Sequence, residues 1–222
     1  MFVIINETIT RFITASMIGG LFWTVFFYMP PVAFSVLLLG ILCTILCMEW
    51  KNLFKLNNFW FWFIMPWYPI LPFGLMIHMN TDPCYRILLY YMFVIVFAFD
   101  GTAYIFGKLL GVHKIIPTIS PGKTIEGCVG GYIGAIFTFN AALSYDQIQI
   151  PVTTLLSFVF MVCAIAFVGD IFESFLKRQA HIKDSGAILP GHGGFLDRFD
   201  AVMMTAYFFF LFRTSLGFLL CK

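Results

Sequence analysis

Runs of apolar residues broken by short polar segments recur along the whole chain. Each run is about 20 residues long, enough to cross a bilayer as a helix. They predict about seven spans, at roughly 12–28, 31–48, 58–79, 86–106, 127–145, 151–176 and 201–220. Pro30 and Pro31 divide the first two, because proline interrupts helical hydrogen bonding and fits a tight turn. The third run, NNFWFWFIMPWYPILPFGLMIHMN, carries Pro66, Pro69 and Pro72, so a kinked or broken helix is expected there. Its Trp and Tyr residues suit a membrane interface. The first run follows the polar Asn6, Glu7 and Arg11 and flows into the second without a small-residue cleavage site, so it reads as a span and not as a signal peptide. No fixed-period repeat, low-complexity tract or terminal soluble domain interrupts the pattern. The predicted fold class is an all-α polytopic integral membrane protein.

Composition agrees. Of 222 residues, 61% are hydrophobic and 11% charged, and the mean hydropathy is +0.93. A soluble domain of this size could not hide so much apolar surface. A net charge of +2 is too small to argue for nucleic acid. The six cysteines lie mostly in apolar runs with no C-x-x-C pair, so they read as small hydrophobic fillers without metal or disulfide roles.

Basic residues set the orientation. With the N-terminus inside, cytoplasmic segments hold Arg11, Lys51, Lys55, Lys108, Lys114, Lys123, Lys177, Arg178, Lys183 and Arg198, which is 10 of the 13 Lys and Arg. Arg86, Arg213 and Lys222 fall elsewhere. The positive-inside rule favours this topology, and it places the polar loops 107–126 and 177–200 on the cytoplasmic face. Lys51 and Lys55 can equally serve anionic lipid headgroups. Arg213, inside an aromatic span, either snorkels or pairs with a buried carboxylate.

Acidic residues near the inner ends of spans are the candidates for chemistry. Asp100 lies in FVIVFAFDGTAYIFGK, and Asp170 with Glu173 in AIAFVGDIFESFLKR. A carboxylate at that depth is costly unless paired, hydrated or bound to a cation. Asp170, Glu173, Ser174 and Lys177 follow helical i, i+3, i+4, i+7 spacing, and Asp100, Tyr104 and Lys108 form a similar stripe. Both stripes descend toward the polar loops, where DGTAYIFGK (100–108), SPGKTIEG (120–127) and SFLKRQAHIKDSGAILPGHGGFLDRFD (174–200) gather. Carboxylates suit a hard divalent cation, Lys and Arg suit phosphates, and glycines admit backbone N–H groups to an anion. Phosphoryl or nucleotidyl transfer needs that combination.

Each segment has a plainer reading. GHGG serves as a flexible turn. SPGKTIEG lacks the G-x-x-x-x-G-K-[ST] spacing and reads as a helix start, capped by Ser120 or Thr124, with Pro121 and Glu126 in the first turns. His192 has no second histidine at zinc-ligand spacing.

Taken together the segments are more specific. Ser174, Lys177–Arg178, Lys183–Asp184, Pro190, His192–Gly193–Gly194 and Asp197–Arg198–x–Asp200 resemble, position by position, the signature of phosphatidate cytidylyltransferases, also called CDP-diacylglycerol synthases. SPGKTIEG resembles the family's S-P-x-K-T-x-E-G segment, and DGTAYIFGK its upstream aspartate motif. The similarity runs from about residue 98 to the end; residues 1–85 match only as apolar spans, and the chain is shorter than many members. The chain divides accordingly into N-terminal transmembrane helices (1–85) and a catalytic transmembrane region (86–222).

The resemblance implies transfer of CMP from CTP to phosphatidate, giving CDP-diacylglycerol and pyrophosphate, with magnesium as cofactor and room for a second cation. It assigns the metal to Asp170 and Asp197. It gives Asp100, Lys123, Lys183 and Asp184 catalytic roles, the two aspartates completing the metal shell or orienting neighbours. Ser120, Lys177, Arg178, His192, Gly193, Gly194 and Arg198 would bind substrate. The implied partners are CTP and membrane phosphatidate, with a homodimer allowed. The residues also admit two rivals. One is a related CTP-dependent transferase acting on an isoprenoid ether lipid phosphate, which the signature does not separate. The other is an ion-coupled transporter, with Asp100 and Asp170 on the ion path and the broken third span as a gate.

Overall fold

The computed structural model describes residues 16, 17, 19–189 and 193–221, and it is built almost wholly of helices. Five of them are long and apolar enough to cross a membrane: Pro31–Leu53, Phe59–Met79, Pro83–Leu110, Ile125–Tyr145 and Val152–Gln179. A sixth crossing is available if Leu196–Leu211 and Arg213–Leu220, bent by 83° at Phe212, count as one span. The first predicted span lies partly outside the described residues, and its described part is the apolar helix Gly19–Tyr28. The protein is a multi-pass helical membrane protein, and about seven spans fits what is seen.

The chain folds into two compact units. One joins the described N-terminal residues up to Thr81 with Leu176–Phe199. It begins with α1 (Gly19–Tyr28) and α2 (Pro31–Thr44). Pro31 is the first residue of α2, where its missing N–H costs nothing. Phe22 and Phe26 pack edge-on against fully buried Phe34, at centroid distances of 5.2 and 4.8 Å. A π-helical turn, Ile45–Glu49, then leads into α3 (Trp50–Leu53). The inserted residue rotates the next helical turn by about 100°, and Glu49 and Trp50 both end fully buried. The Trp50 indole N–H reaches the Phe61 carbonyl at 3.2 Å, tying α3 to α4 (Phe59–Ile64). The expected break in the third span is present. A turn at Pro66–Ile70, with Tyr68 out of helical conformation, separates α4 from α5 (Leu71–Met79). Buried Asn80 closes the group by donating to the Pro31 carbonyl at 2.6 Å and to Ser35 Oγ at 2.9 Å.

The other unit comprises Asp82–Phe175 and Asp200–Lys222. Asp82 caps α6 (Pro83–Leu110) by accepting from the Cys84 and Tyr85 N–H groups. A short antiparallel hairpin comes next, β1 (Lys114–Ile116) and β2 (Ser120–Thr124), which the hydrophobic pattern does not anticipate. Ser120 and Pro121 therefore lie in a strand and not in a helical turn. The capping expectation holds at Thr124, whose hydroxyl accepts from the Gly127 N–H at 3.1 Å to start α7 (Ile125–Tyr145). Glu126 in that first turn holds the hairpin base, accepting from the Val112 and His113 N–H groups at 3.1 and 3.2 Å and meeting His113 Nδ1 at 2.5 Å.

Helices α6 and α7 pack through a glycine stripe. A methyl added at Gly131 would stand 2.8 Å from Phe99 Cδ2 and 2.9 Å from Ala103 Cβ; Gly130 and Gly134 are closed more tightly still by Phe106 and Thr102. Helices in lipid associate by this sort of small-residue contact, because apolar burial alone gives no preference for protein over lipid tails. The remaining helices are α8 (Val152–Gln179), which continues into the first unit, and α9 (Leu196–Leu211) with α10 (Arg213–Leu220).

Two readings of single residues change here. Cys84 and Cys221 form a disulfide across 137 positions, so they are not fillers. The pairing is invisible to a search for close cysteine spacing, because folding alone brings the start of α6 to the end of α10. Arg213 sits at the α9–α10 break, donates to the Phe210 carbonyl at 2.8 Å and lies over the Phe210 ring at 4.2 Å.

Candidate active site

Each unit carries one lysine–carboxylate pair among its candidate residues. In the second unit, Lys123 projects from β2 and meets Asp170 of α8 at 2.7 Å. Its ammonium also lies over the Phe167 ring at 4.4 Å and 3.4 Å from the Phe167 carbonyl. The lysine is nearly enclosed, whereas a third of the aspartate side chain is open. One turn along α8, the Ser174 hydroxyl reaches the other Asp170 oxygen at 3.3 Å, as the i, i+4 spacing predicts. Glu173 is fully buried on the same helix. Asp170 thus keeps one lightly held oxygen on a side chain that is a third exposed.

In the first unit, Lys177 meets Asp197 at 2.7 Å, with 11% and 8% of the two side chains exposed. Asp197 stands in the first turn of α9, where negative charge complements the helix dipole. Its carboxylate organises the loop before it. Oδ2 accepts from the Gly194 N–H at 2.7 Å, the Ser185 N–H at 3.0 Å and the Ser185 hydroxyl at 3.0 Å. This closeness explains the glycines of the loop. Gly193 has φ +78°, which other residues adopt only with strain, and a methyl there would stand 2.5 Å from Asp197 Oδ2.

The other candidates can be placed in turn. Asp100 is half-buried on α6, and Ser120 opens β2 half-buried. Lys108 lies 5.9 Å over the Tyr104 ring, one turn along the predicted α6 stripe. Arg178 is exposed at the end of α8, where it donates to the Ile182 carbonyl at 3.0 Å. Lys183 and Asp184 are exposed in the loop after α8, and Arg198 is exposed in the first turn of α9. Pro190 and His192 lie outside the described residues.

One residue of this neighbourhood has no place in the sequence motifs. Glu49, at the inner end of the second predicted span, points its fully buried carboxylate into the signature loop. Its only signal in the sequence is an acid at the end of an apolar run, in CMEWK.

Comparison with known proteins bears on these residues. The sequence profile described as "Cytidylyltransferase family" matches residues 3–216, nearly the whole chain. The chain belongs to the cytidylyltransferase family. Among curated family members named phosphatidate cytidylyltransferase, that of Staphylococcus aureus (strain COL) is 46% identical over 113 residues, covering 51% of this chain and 44% of its own length. That of Staphylococcus haemolyticus (strain JCSC1435) is 44% identical over 124 residues, or 56% and 47% of the two chains. That of Bacillus subtilis (strain 168) is 40% identical over 131 residues, or 59% and 49%. These alignments span about half the length of each relative.

Proposed function

We propose that this cytidylyltransferase family member is a phosphatidate cytidylyltransferase, joining CTP to phosphatidate to give CDP-diacylglycerol and pyrophosphate. The observation that carries the reading is the family match across both lysine–carboxylate pairs, each of which sits on a signature segment. The reaction forms a bond from a phosphatidate oxygen to the α-phosphorus of CTP and breaks the bond to the β-phosphate. Both reactants are anionic, so the residues must gather positive charge and hold the reacting groups in line.

A magnesium ion fits the residues present. Among the described residues no three acidic, His or Cys side chains cluster as a metal cage, and magnesium needs only one or two carboxylates beside substrate phosphates. Asp170 offers an oxygen with one light contact, and the ammonium positions beside Asp170 and Asp197 mark where positive charge is already held. By the family resemblance Asp170 and Asp197 are the proposed ligands, with Asp170 the one whose surroundings in its own unit leave an oxygen lightly held; bound, the ion would draw charge from the α-phosphate and the leaving pyrophosphate. Lys123 and Lys177, each 2.7 Å from a carboxylate oxygen, would turn to phosphate oxygens. Exposed Arg178, Lys183 and Arg198 add charge for the triphosphate and the lipid phosphate. The site is assigned to the cytoplasmic face, because the basic residues concentrate there.

The test is direct. Purified protein in detergent, given phosphatidate, labelled CTP and magnesium, should yield labelled CDP-diacylglycerol and pyrophosphate. Label transferred only to an isoprenoid ether lipid phosphate in a parallel panel would move the substrate assignment. No magnesium-dependent CTP turnover with any lipid phosphate would overturn the reading.

A further inference from the structure

Glu49 is 0% exposed in a helix that is otherwise apolar, a costly place for a carboxylate. Its surroundings account for the position. Oε1 accepts from the Phe195 N–H at 2.8 Å, and Oε2 from the Leu196 N–H at 2.7 Å. Leu196 is the first residue of α9, so the carboxylate takes up N–H groups that a helix start leaves without intrahelical partners. Oε2 also lies 3.3 Å from the Ser185 hydroxyl, on the far arm of the loop. Three residues further along the chain, in α3, Asn52 donates to the Ser185 carbonyl at 2.9 Å. The inner end of the second predicted span thus grips both arms of the signature loop, across sequence separations of 133 to 147.

The grip leads to Asp197. The Ser185 hydroxyl stands 3.0 Å from Asp197 Oδ2 and 3.3 Å from Glu49 Oε2, a bridge between the two carboxylates. Leu196, held by Glu49, is the residue before Asp197. Gly194, whose N–H donates to Asp197, is packed so closely that a methyl there would stand 2.6 Å from the Glu49 carboxyl carbon. A methyl added at Gly186, on the other arm, would stand 3.1 Å from Glu49 Cγ. A shift of this one carboxylate must move both loop arms that donate to Asp197, Ser185 on one and Gly194 on the other.

We propose that Glu49 is a positioning residue for the transfer reaction: from outside the signature it fixes the loop and so the direction of the Asp197 carboxylate. The inference rests on the function proposed above, but its hold on the loop can be read without substrates. The experiment compares wild type, Glu49→Gln and Ser185→Ala in detergent. It measures hydrogen exchange of the peptides covering Ser185 and Gly194–Leu196, turnover at saturating CTP, and melting temperature. Gln keeps the shape but turns one acceptor into a donor facing an N–H, so exchange in those peptides should rise at least tenfold while α6 and α7 stay protected. Turnover should fall at least tenfold at saturating CTP, with the apparent KM for CTP changed less than kcat. Ser185→Ala, which removes only the bridge, should show the same pattern more weakly, and it carries the test if the glutamine variant does not accumulate. Unchanged exchange in these peptides overturns the proposal. So does loosened exchange with wild-type turnover, or a lowered melting temperature with normal kcat. Absence of CTP turnover in the wild type would instead fail the functional reading, and the exchange data would still decide whether Glu49 holds the loop.

Discussion

At the scale of single residues, the two lysine–aspartate pairs separate by burial. Asp170 has one strong partner, Lys123, and a third of its side chain open, so water can reach the Lys123 ammonium when the aspartate is neutralised. Asp170→Asn should melt less far below wild type than Asp197→Asn and lose turnover on the order of 100-fold, the scale seen when an electrostatic stabiliser of a transition state is removed. Asp197 is nearly enclosed and accepts from Lys177, Ser185 and Gly194 together. Asp197→Asn should therefore lose turnover and melt lower as well, because an amide cannot accept from so many donors and leaves the Lys177 ammonium uncompensated. Kinetics and melting on the same preparations check both; equal melting losses in the two variants would contradict the burial argument. Lys123→Ala should raise the apparent KM for CTP or slow turnover without loss of expression, and unchanged CTP dependence would leave Lys123 as a partner of Asp170 alone. The members of these pairs are legible in the sequence because they sit in short motifs at helical or loop spacing. Glu49 is not legible, because its partners lie more than 130 residues away and no local pattern encodes that distance.

At the scale of elements, hydrophobic runs foretell the long helices to within a few residues, since a bilayer demands a fixed apolar length. The broken third span is legible too, in its three prolines. The break at Phe212 is not: no proline or glycine marks it, and Arg213 capping on the Phe210 carbonyl and ring emerges only in three dimensions. The β1–β2 hairpin is hidden in a stretch too short for alternation to register. The α6–α7 contact rests on CVGGYIG, whose glycines the structure shows closed by Phe99, Ala103, Phe106 and Thr102. That contact yields an element-scale prediction. Gly131→Leu must push against Phe99 and Ala103 and should cost about 1–3 kcal/mol or more of stability. Gly101→Leu, where an added methyl meets nothing within 4 Å, should cost far less. Melting curves of the two variants in one detergent make the comparison, and equal losses would mean that the stripe does not set the packing.

At the scale of the whole molecule, the disulfide bears on topology. Cys84 begins α6 and Cys221 directly succeeds α10, and a covalent bond requires both on one face of the membrane. Between them run α6, α7, α8 and the bent α9–α10 pair. If the bent pair did not cross, three crossings would put the cysteines on opposite faces. The bond therefore requires the pair to count as a span, despite its 83° bend. The same count puts the hairpin loop after one crossing and the signature loop after three, both opposite the disulfide. The positive-inside rule assigns those loops to the cytoplasm on quite separate grounds, and disulfides persist on the oxidising side. Both arguments predict the same orientation. The check uses a chain in which Cys43, Cys47, Cys128 and Cys163 are replaced and a single probe cysteine is added at exposed Thr118 or Ala187. In intact cells a membrane-impermeant maleimide should label neither Cys84 nor Cys221 until an impermeant reductant is added, and then both. The probes at 118 and 187 should label only after the membrane is opened. A probe that labels from the same side as the reduced pair would break the crossing count, and a pair reachable only from the cytoplasm would reverse the orientation.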